Sequence, residues 1–436
     1  MKNSKDKIKG FIAGMLAMAV VMAVGTAIAS TQRNISVIFR DIRIVVDGQE
    51  ITLRDAHGNV VEPFIFEGST FLPVRAVSEA LGYAVSWDDE TSTVFIGDIP
   101  RQPGDIRIAL VAAFPQSILF DGSFNEAAHD GIQQFIAAHN VPSANFQFFI
   151  AVESNDDARL DQIETAIEVW GADIVILPNM FFVHSAYWAQ QYWPDTKFIV
   201  LDVIPAYDGV QRTDSNTVAA LYAEEQAGFL AGYAAVREGF RNLGFMGGVA
   251  ASPIVRYGHG FVQGAEHAAR SLGLAQGEVS VMFHYLGGFS PDPAHTALTL
   301  AWFDAGVEVI FAAASGAGWS VLAAAEQAGA YFIGVDVDQS NAAHAVITSA
   351  MKGIASSVND LLEDFAADTF PGGSVVMFDA AANGVALPMQ TSRFVNFTQA
   401  QYDAIFNQLA YGEITVSSSL DMEIALADVS LVRVLT

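Results

Sequence analysis

The chain has 436 residues, 52% of them hydrophobic and only 16% charged, which is too long for one compact core and too apolar for a disordered chain. Its formal net charge of −27 repels nucleic-acid phosphates and anionic lipid, which argues against a polynucleotide partner. There is no cysteine, so disulfides, thiolate metal sites, a cysteine nucleophile and lipid attachment at an N-terminal cysteine are all ruled out.

Residues 1–29 read as a secretory signal. Lys2, Lys5, Lys7 and Lys9 form a basic start, an apolar run extends from Gly10 to Ile28, and Ala27-Ile28-Ala29 offers a small-x-small cleavage site. The same run is nearly long enough to act as an uncleaved membrane anchor. Either way the remainder is expected outside the cytoplasm, at the cell surface.

A small β-rich unit follows over residues 33–98. Ile42, Ile44 and Val46 alternate with other residues, Ile51 and Leu53 resume the alternation, and Asp47-Gly48 between them supplies the positive φ angles of a tight hairpin turn. A short helix is predicted over residues 76–82, with Val77, Ala80 and Leu81 on one face and Gly82 as its stop. Val85–Asp88 and Thr93–Ile96 read as a closing strand pair. The run from Phe71 to Trp87, FLPVRAVSEALGYAVSW, resembles the stalk-like N-terminal domain of copper amine oxidases. In exported bacterial proteins that resemblance implies an accessory module, with no copper chemistry; the only histidine of the segment is His57. Residues 99–104 hold two prolines and a glycine and read as a linker.

From Asp105 onward, short apolar strands alternate with helical stretches. Strands are predicted at 106–112, 146–152, 174–177 and 198–201, with a helix at 126–139 and a long helix at 219–237. The series then restarts with strands at 243–247, 279–283, 309–312, 331–335 and 345–349. Continuous apolar strands joined by helices mean parallel sheets covered on both faces. The fold class expected is α/β, a two-lobed periplasmic-binding-protein-like body with doubly wound parallel sheets, preceded by the small N-terminal β-rich α+β unit. Lobe 1 is expected at about 105–222 plus 345–378, and lobe 2 at about 223–344 plus 379–436.

In open parallel sheets, ligands bind beyond the carboxyl ends of the strands, so the post-strand segments hold the candidate residues. They are Asp121-Gly122-Ser123-Phe124-Asn125, Asn179 to Phe182, Asp202, residues 248–257, Ser315-Gly316-Ala317-Gly318, Asp336 to Gln339, and Lys352. Several stand in an ordered series of motifs: Asp-x-Ser-Phe-Asn at 121–125, Gly244-Phe245-Met246-Gly247-Gly248, Tyr257 followed by Gly260-Phe261 and Gly264, the Gly-rich turn at 315–318, Ile-Gly-Val-Asp-x-Asp-Gln at 333–339, and Lys352 after Thr348-Ser349. In order and spacing this set resembles the basic membrane protein (BMP) family of substrate-binding proteins, also called PnrA-like purine nucleoside receptors, over about three quarters of the chain.

That resemblance implies capture of a purine nucleoside between two lobes for the permease of an ABC-type importer. Phe124 and Tyr257 would sandwich the base. Asp336 would accept hydrogen bonds from ribose hydroxyls, with a helix N-cap as its alternative role. Lys352 would donate to the sugar or pair with Asp336. Asp121 and Asn125 could read the base edge, although Asp121 could instead hold its own loop. Asn179 is a further candidate, as are Ser123 and the backbone of Ser315 and Gly316 at close approach to the ligand. Two departures stand out. Members are usually lipoproteins, and this chain lacks the cysteine, so the stalk-like module or the N-terminal segment would tether it to the cell envelope. Phe114-Pro115-Gln116 also occupies a stretch that is commonly rich in glycine and aspartate.

No enzyme motif is present: no HExxH zinc helix, no P-loop and no GxSxG elbow. The nine histidines lack paired ligand spacing. The expectation is a binding protein without catalytic residues, metal or cofactor. The alternatives are a wall- or membrane-tethered sensor or scavenger without a transporter, and an enzyme that processes the same nucleoside.

Overall fold

A computed structural model describes residues 35–46, 49–54, 60–81, 83, 85–88, 93–96, 103–120 and 122–436. The signal-like segment, the Asp47-Gly48 turn, Gly82, most of the linker and Asp121 lie outside the described residues. The chain divides into two compact units, residues 1–99 and 100–436.

The described part of the first unit is built from hairpins. Ile44–Val46 pairs antiparallel with Gln49–Ile51, Phe64–Phe66 with Ser69–Phe71, and Val85–Asp88 with Thr93–Ile96. The helix spans Val74–Ala80, two residues earlier than expected. Glu67 and Gly68 both take positive φ, the backbone a two-residue hairpin turn needs. Phe64 and Phe71 stack across their strand pair at 5.4 Å, and Leu53 is buried.

The second unit carries two large sheets with separate cores, which form two lobes, and a short hairpin of Ala206–Tyr207 with Val210–Gln211. In chain order its elements are β1 (Ile108–Ala112), α1 (Phe124–His139), β2 (Phe146–Ile150), α2 (Asp156–Glu164), β3 (Ile174–Leu177), α3 (Val183–Tyr192), β4 (Lys197–Leu201), β5 (Thr217–Tyr222), α4 (Glu224–Glu238), β6 (Asn242–Gly247), α5 (Ser252–Leu272), β7 (Ser280–Tyr285), α6 (Pro293–Asp304), β8 (Val309–Ala313), α7 (Gly316–Ala328), β9 (Tyr331–Asp336), β10 (Val346–Lys352), α8 (Ile354–Ala366), β11 (Ser374–Phe378), β12 (Val385–Ala386), α9 (Gln399–Ala410) and β13 (Arg433–Leu435). Lobe 1 holds a parallel sheet in the order β11-β5-β4-β3-β1-β2. Lobe 2 holds the order β12-β10-β9-β8-β6-β7-β13, parallel except for β12. In each lobe the strand order reverses at the first strand, β1 or β6. Such a reversal splays the following loops apart and opens a crevice at the carboxyl ends.

Two expectations need correction. Residues 219–222, read as the start of a long helix, form the end of β5, a strand enclosed between β4 and β11 with Thr217–Ala220 fully buried. The helix starts only at Glu224, because the apolar run Val218–Leu221 is filling a sheet and has no helical face to expose. The strand over 345–349, assigned to lobe 1, is β10 and pairs with β9 in lobe 2. The chain returns to lobe 1 only after Gly353, when α8 buries Ile354, Val358, Leu361 and Leu362 in the core that holds Ile132 and Phe135 of α1. The lobes are thus joined by three crossings, after β5, after β10 and after β11. The crossings are pinned to one another by backbone bonds from Ala223 N–H to the Phe378 carbonyl and from Gly353 N–H to the Gly384 carbonyl.

The lobe-2 core is organised by α4 against α5. Glycines let these helices touch backbone to backbone: a Cβ on Gly232 would lie 2.0 Å from the Phe261 carbonyl oxygen, and one on Gly264 2.0 Å from that of Phe229. No side chain can yield at such a contact, so the helices themselves must separate. Gly264→Ala is therefore expected to destabilise the protein by about 2 kcal/mol, within the range for overpacked cores. Urea unfolding of wild type and variant measures this, and an unchanged midpoint would refute the close packing.

Candidate functional site

The carboxyl ends of the two sheets face each other across a cavity of about 710 Å³. Strand order grades its lining. Asp202 follows β4 and Asp336 and Lys352 end β9 and β10, so the charged groups gather at one end. Phe114 follows β1 and Phe289 follows β7, which places these rings toward the other end, where Phe181, after β3, meets Phe289. With neighbouring strands about 4.8 Å apart, β10 and β7 in lobe 2 are separated by several strand widths.

At the charged end Lys352 is buried. Its Nζ lies 2.5 Å from Asp202 Oδ1, 3.1 Å from Glu224 Oε1 and 3.8 Å from Asp336 Oδ1. Arg256 Nε lies 2.6 Å from the other Glu224 oxygen and 3.8 Å from Glu225. Four carboxylates therefore share two cations. Burial would strip the charge from Lys352, but Asp202, Glu224 and Asp336 outweigh it and raise its pKa. Burial likewise pushes Glu224 up, but Lys352 and Arg256 outweigh it and hold this carboxyl below its usual range. Asp202 is left over: burial pushes it up to about 7 against the pull of Lys352. Burial also raises Asp336, and lifts Glu225 to about 7.

The backbone around the cavity is strained. Asp202, Ser315 and Asp336 all have positive φ (72°, 46° and 66°) although none is glycine. Such conformations cost of order 1–3 kcal/mol each and persist where the surroundings hold them, commonly at binding sites. Here the two aspartates are turned toward Lys352, which offsets that cost.

Most of the expected residues meet in this cavity. Ser123, Phe124, Asn125, Asn179, Ser315, Gly316, Asp336 and Lys352 all line it. Asp121 lies outside the described residues. Phe124 opens α1, and the Lys352 ammonium sits 5.0 Å from its ring centroid. Ser123 Oγ reaches Asp336 Oδ2 at 3.5 Å across the lobes, and Gln339 Nε2 donates to the Gly122 carbonyl at 3.4 Å. Asn125 Nδ2 donates to the Ile118 carbonyl and ties the loop after β1. Asn179 Oδ1 caps the turn that presents Phe181 by accepting from its backbone N–H. Gly316 allows close approach of the Phe289 carbonyl, to which Ala317 N–H donates.

Tyr257 is the exception. It is fully buried in the lobe-2 core and does not line the cavity, so the expected sandwich of Phe124 with Tyr257 is not formed. Its position on α5 turns the ring inward, edge-on to Phe311 at 5.6 Å. Its hydroxyl donates to Asp336 Oδ1 at 3.2 Å and so orients that carboxylate from behind. Aromatic surface comes instead from Phe114, Phe181, Phe289 and Trp319, none of which the sequence reading singled out as a ligand contact, and Glu224 was missed as well. Phe114 and Phe181 do stand in post-strand loops, so that signal was present. Glu224 was hidden by reading β5 as helix. Among the described residues no group of three histidine, aspartate or glutamate side chains is arranged to hold a metal ion, and no helix is long and apolar enough to cross a membrane.

A two-lobed α/β body with a cleft between parallel sheets is the periplasmic-binding-protein-like fold. Solved solute-binding proteins of ABC transporter systems share it. One from Aeropyrum pernix K1 superposes with a TM-score of 0.60 at 16% identity, covering 75% of this chain and all of that one. One from Conexibacter woesei does so with a TM-score of 0.56 at 21% identity, covering 72% and 99%. The family model for PnrA-like ABC transporter substrate-binding proteins matches residues 108–419, and the chain belongs to that family. The copper amine oxidase N-terminal domain model matches residues 25–96. Among characterised relatives, basic membrane protein A2 of Borrelia garinii subsp. bavariensis is 25% identical over 302 residues, 68% of this chain and 84% of that protein. The ABC transporter nucleoside-binding protein BmpA of Lactococcus lactis subsp. cremoris is 24% identical over 321 residues, 68% and 86% respectively.

The raised Asp202 and Glu225 carboxyls set a pH dependence. A carboxyl whose folded pKa lies above its unfolded value stabilises the fold while protonated, and that contribution is lost as pH rises through the folded value. The contribution of these two carboxyls to the stability of the ligand-free protein should therefore decline from about pH 4 to above pH 7, and Asp202→Asn should make the variant's stability fall less with pH than that of wild type. Thermal unfolding scanned across pH checks this; identical slopes for wild type and variant would show that Asp202 is not a titrating group.

Proposed function

We propose that the protein is an extracytoplasmic receptor that captures a purine nucleoside reversibly between its lobes and presents it to the permease of an ABC importer. The observation that carries this reading is the graded cavity. A nucleoside has a flat, weakly polar base and a hydroxyl-rich sugar, and the cavity offers aromatic rings toward one end and hydrogen-bonding carboxylates with an ammonium at the other. Carboxylates accept from sugar hydroxyls, and hydrogen bonds to charged acceptors are worth about 1.5–3 kcal/mol each. The excess of carboxylate over cation at that end opposes a phosphate, which favours nucleosides over nucleotides. The nucleoside-binding name of the Lactococcus relative supports the same reading.

Ligand that touches both lobes favours the closed arrangement, since only differential contact shifts such an equilibrium. Asp202 and Ser123 come from lobe 1, Asp336 and Lys352 from lobe 2, so a sugar seated among them bridges the two. Export, through residues 1–29, is part of this proposal, as is attachment to the envelope through the N-terminal unit. The match of residues 25–96 to an accessory domain gives a second reading, a tethered surface sensor without a transporter; neighbouring permease and ATPase genes would speak against it. Recovery of unchanged nucleoside after prolonged incubation would speak against an enzyme.

Isothermal titration with inosine, guanosine, adenosine, their monophosphates, free purines and ribose tests the ligand. Purine nucleosides should bind, monophosphates much more weakly. Phe181→Ala should weaken nucleoside binding by about 1–3 kcal/mol, the cost of one lost stacking face. Saturable binding of an amino acid or sugar with no response to any purine nucleoside would overturn the reading.

A further inference from the structure

The loop after β1 carries Phe114-Pro115-Gln116, and the structure gives Phe114 a partner. Phe114 meets Phe181 edge to face, with centroids 4.7 Å apart and planes at 72°. Phe181 in turn meets Phe289 of the opposite lobe at 6.0 Å and 90°. Beneath the lobe-1 pair lies Arg159 of α2, only 6% exposed. Its guanidinium carbon is 5.5 Å from the Phe114 centroid and 5.9 Å from the Phe181 centroid. Nε donates to the Ala113 carbonyl at 3.2 Å, and the terminal nitrogen pairs with Asp156 at 2.9 Å.

A guanidinium can hold all four groups at once because it is planar, stacks on rings and carries its donors in a rigid fork. It fixes the Ala113 carbonyl, and so the start of the loop, while its faces set the tilt of both rings. Removing it would leave two half-buried phenylalanines free to rotate at the cleft wall, and the contact with Phe289 depends on the tilt of Phe181.

We infer that Arg159 is a positioning residue that clamps Phe114 and Phe181 into an aromatic wall, and that this wall makes the site select a bicyclic purine base over a monocyclic pyrimidine. The inference rests on the nucleoside reading above. Phe114 and Phe289 follow β1 and β7, which other strands separate from β4 and β10, where Asp202 and Lys352 stand, so this wall is the face left to the base when the sugar is held by the charged groups. A purine, with its second ring, reaches and covers more of that wall than a pyrimidine does. Arg159 touches no ligand itself and acts only through the two rings.

The test is calorimetric titration of inosine and uridine into wild type, Arg159→Met and Phe114→Ser, with circular dichroism confirming that each ligand-free variant is folded. Both variants should lose about tenfold in inosine affinity, or 1.4 kcal/mol, with uridine affinity changed by less than about twofold, so that the purine preference collapses. A residue that merely stabilised the fold would weaken both ligands alike. Equal losses for inosine and uridine, or a preserved preference in Phe114→Ser, would overturn the inference. Should Arg159→Met not fold, Phe114→Ser decides alone, since it leaves Arg159 and its bonds to Ala113 and Asp156 in place. Wild type that binds no nucleoside would instead overturn the ligand reading on which the inference stands.

Discussion

The second unit turns on one buried ammonium. Lys352 ends a lobe-2 strand, yet its nearest carboxylate, Asp202, ends a lobe-1 strand, and Glu224 stands just past the first crossing between them. Transferring such charges out of water costs several kcal/mol per ion. That cost is recovered only while all partners are in place, so the cluster acts as a condition on the relative position of the lobes. Two other hydrogen bonds between the lobes, Ser123 with Asp336 and Gln339 with Gly122, are longer. Tyr257, Arg256 and the strained backbone at Asp202 and Asp336 follow as its supports.

The same cluster explains why the cavity suits an uncharged, hydroxyl-bearing ligand. Its carboxylates are already partly satisfied by Lys352 and Arg256, so they accept hydrogen bonds without needing a full counter-charge. An added anion would have to share Lys352 with Asp202, Glu224 and Asp336. Fixed electrostatics and a modest aromatic surface thus divide the work: the first discriminates by charge, the second by shape.

Much of this was legible in the sequence because the fold writes it there. Strands enclosed on both faces must be continuously apolar, and Ile108–Ala112, Ile174–Leu177 and Val309–Ala313 are so marked. The rule that ligands lie beyond strand ends then located Phe124, Asn179, Ser315, Asp336 and Lys352. What failed has a common cause: runs whose composition suits two structures. Val218–Leu221 satisfies either a helix or a central strand, and only pairing with β4 and β11 decides. Tyr257 was expected to face the ligand and does not, because which way an aromatic on a long buried helix points depends on the helix's rotation against α4. The glycines at 228, 232, 260 and 264 set that rotation, through contacts that no linear pattern displays. Phe289 was missed because its position opposite Phe181 exists only once the lobes are brought together.

The three crossings carry a consequence for assembly. The lobe-1 sheet takes its edge strand from Ser374–Phe378, and its α1 is covered by α8. The lobe-2 sheet ends with Arg433–Leu435 laid against β7. Neither layer can be completed from the first half of the second unit: each sheet needs a strand far along the chain from its other strands. Pairings of such long sequence separation are slow to form. A chain emerging from its N-terminus therefore leaves both sheets incomplete until these late segments are present, and the two lobes mature together rather than one after the other.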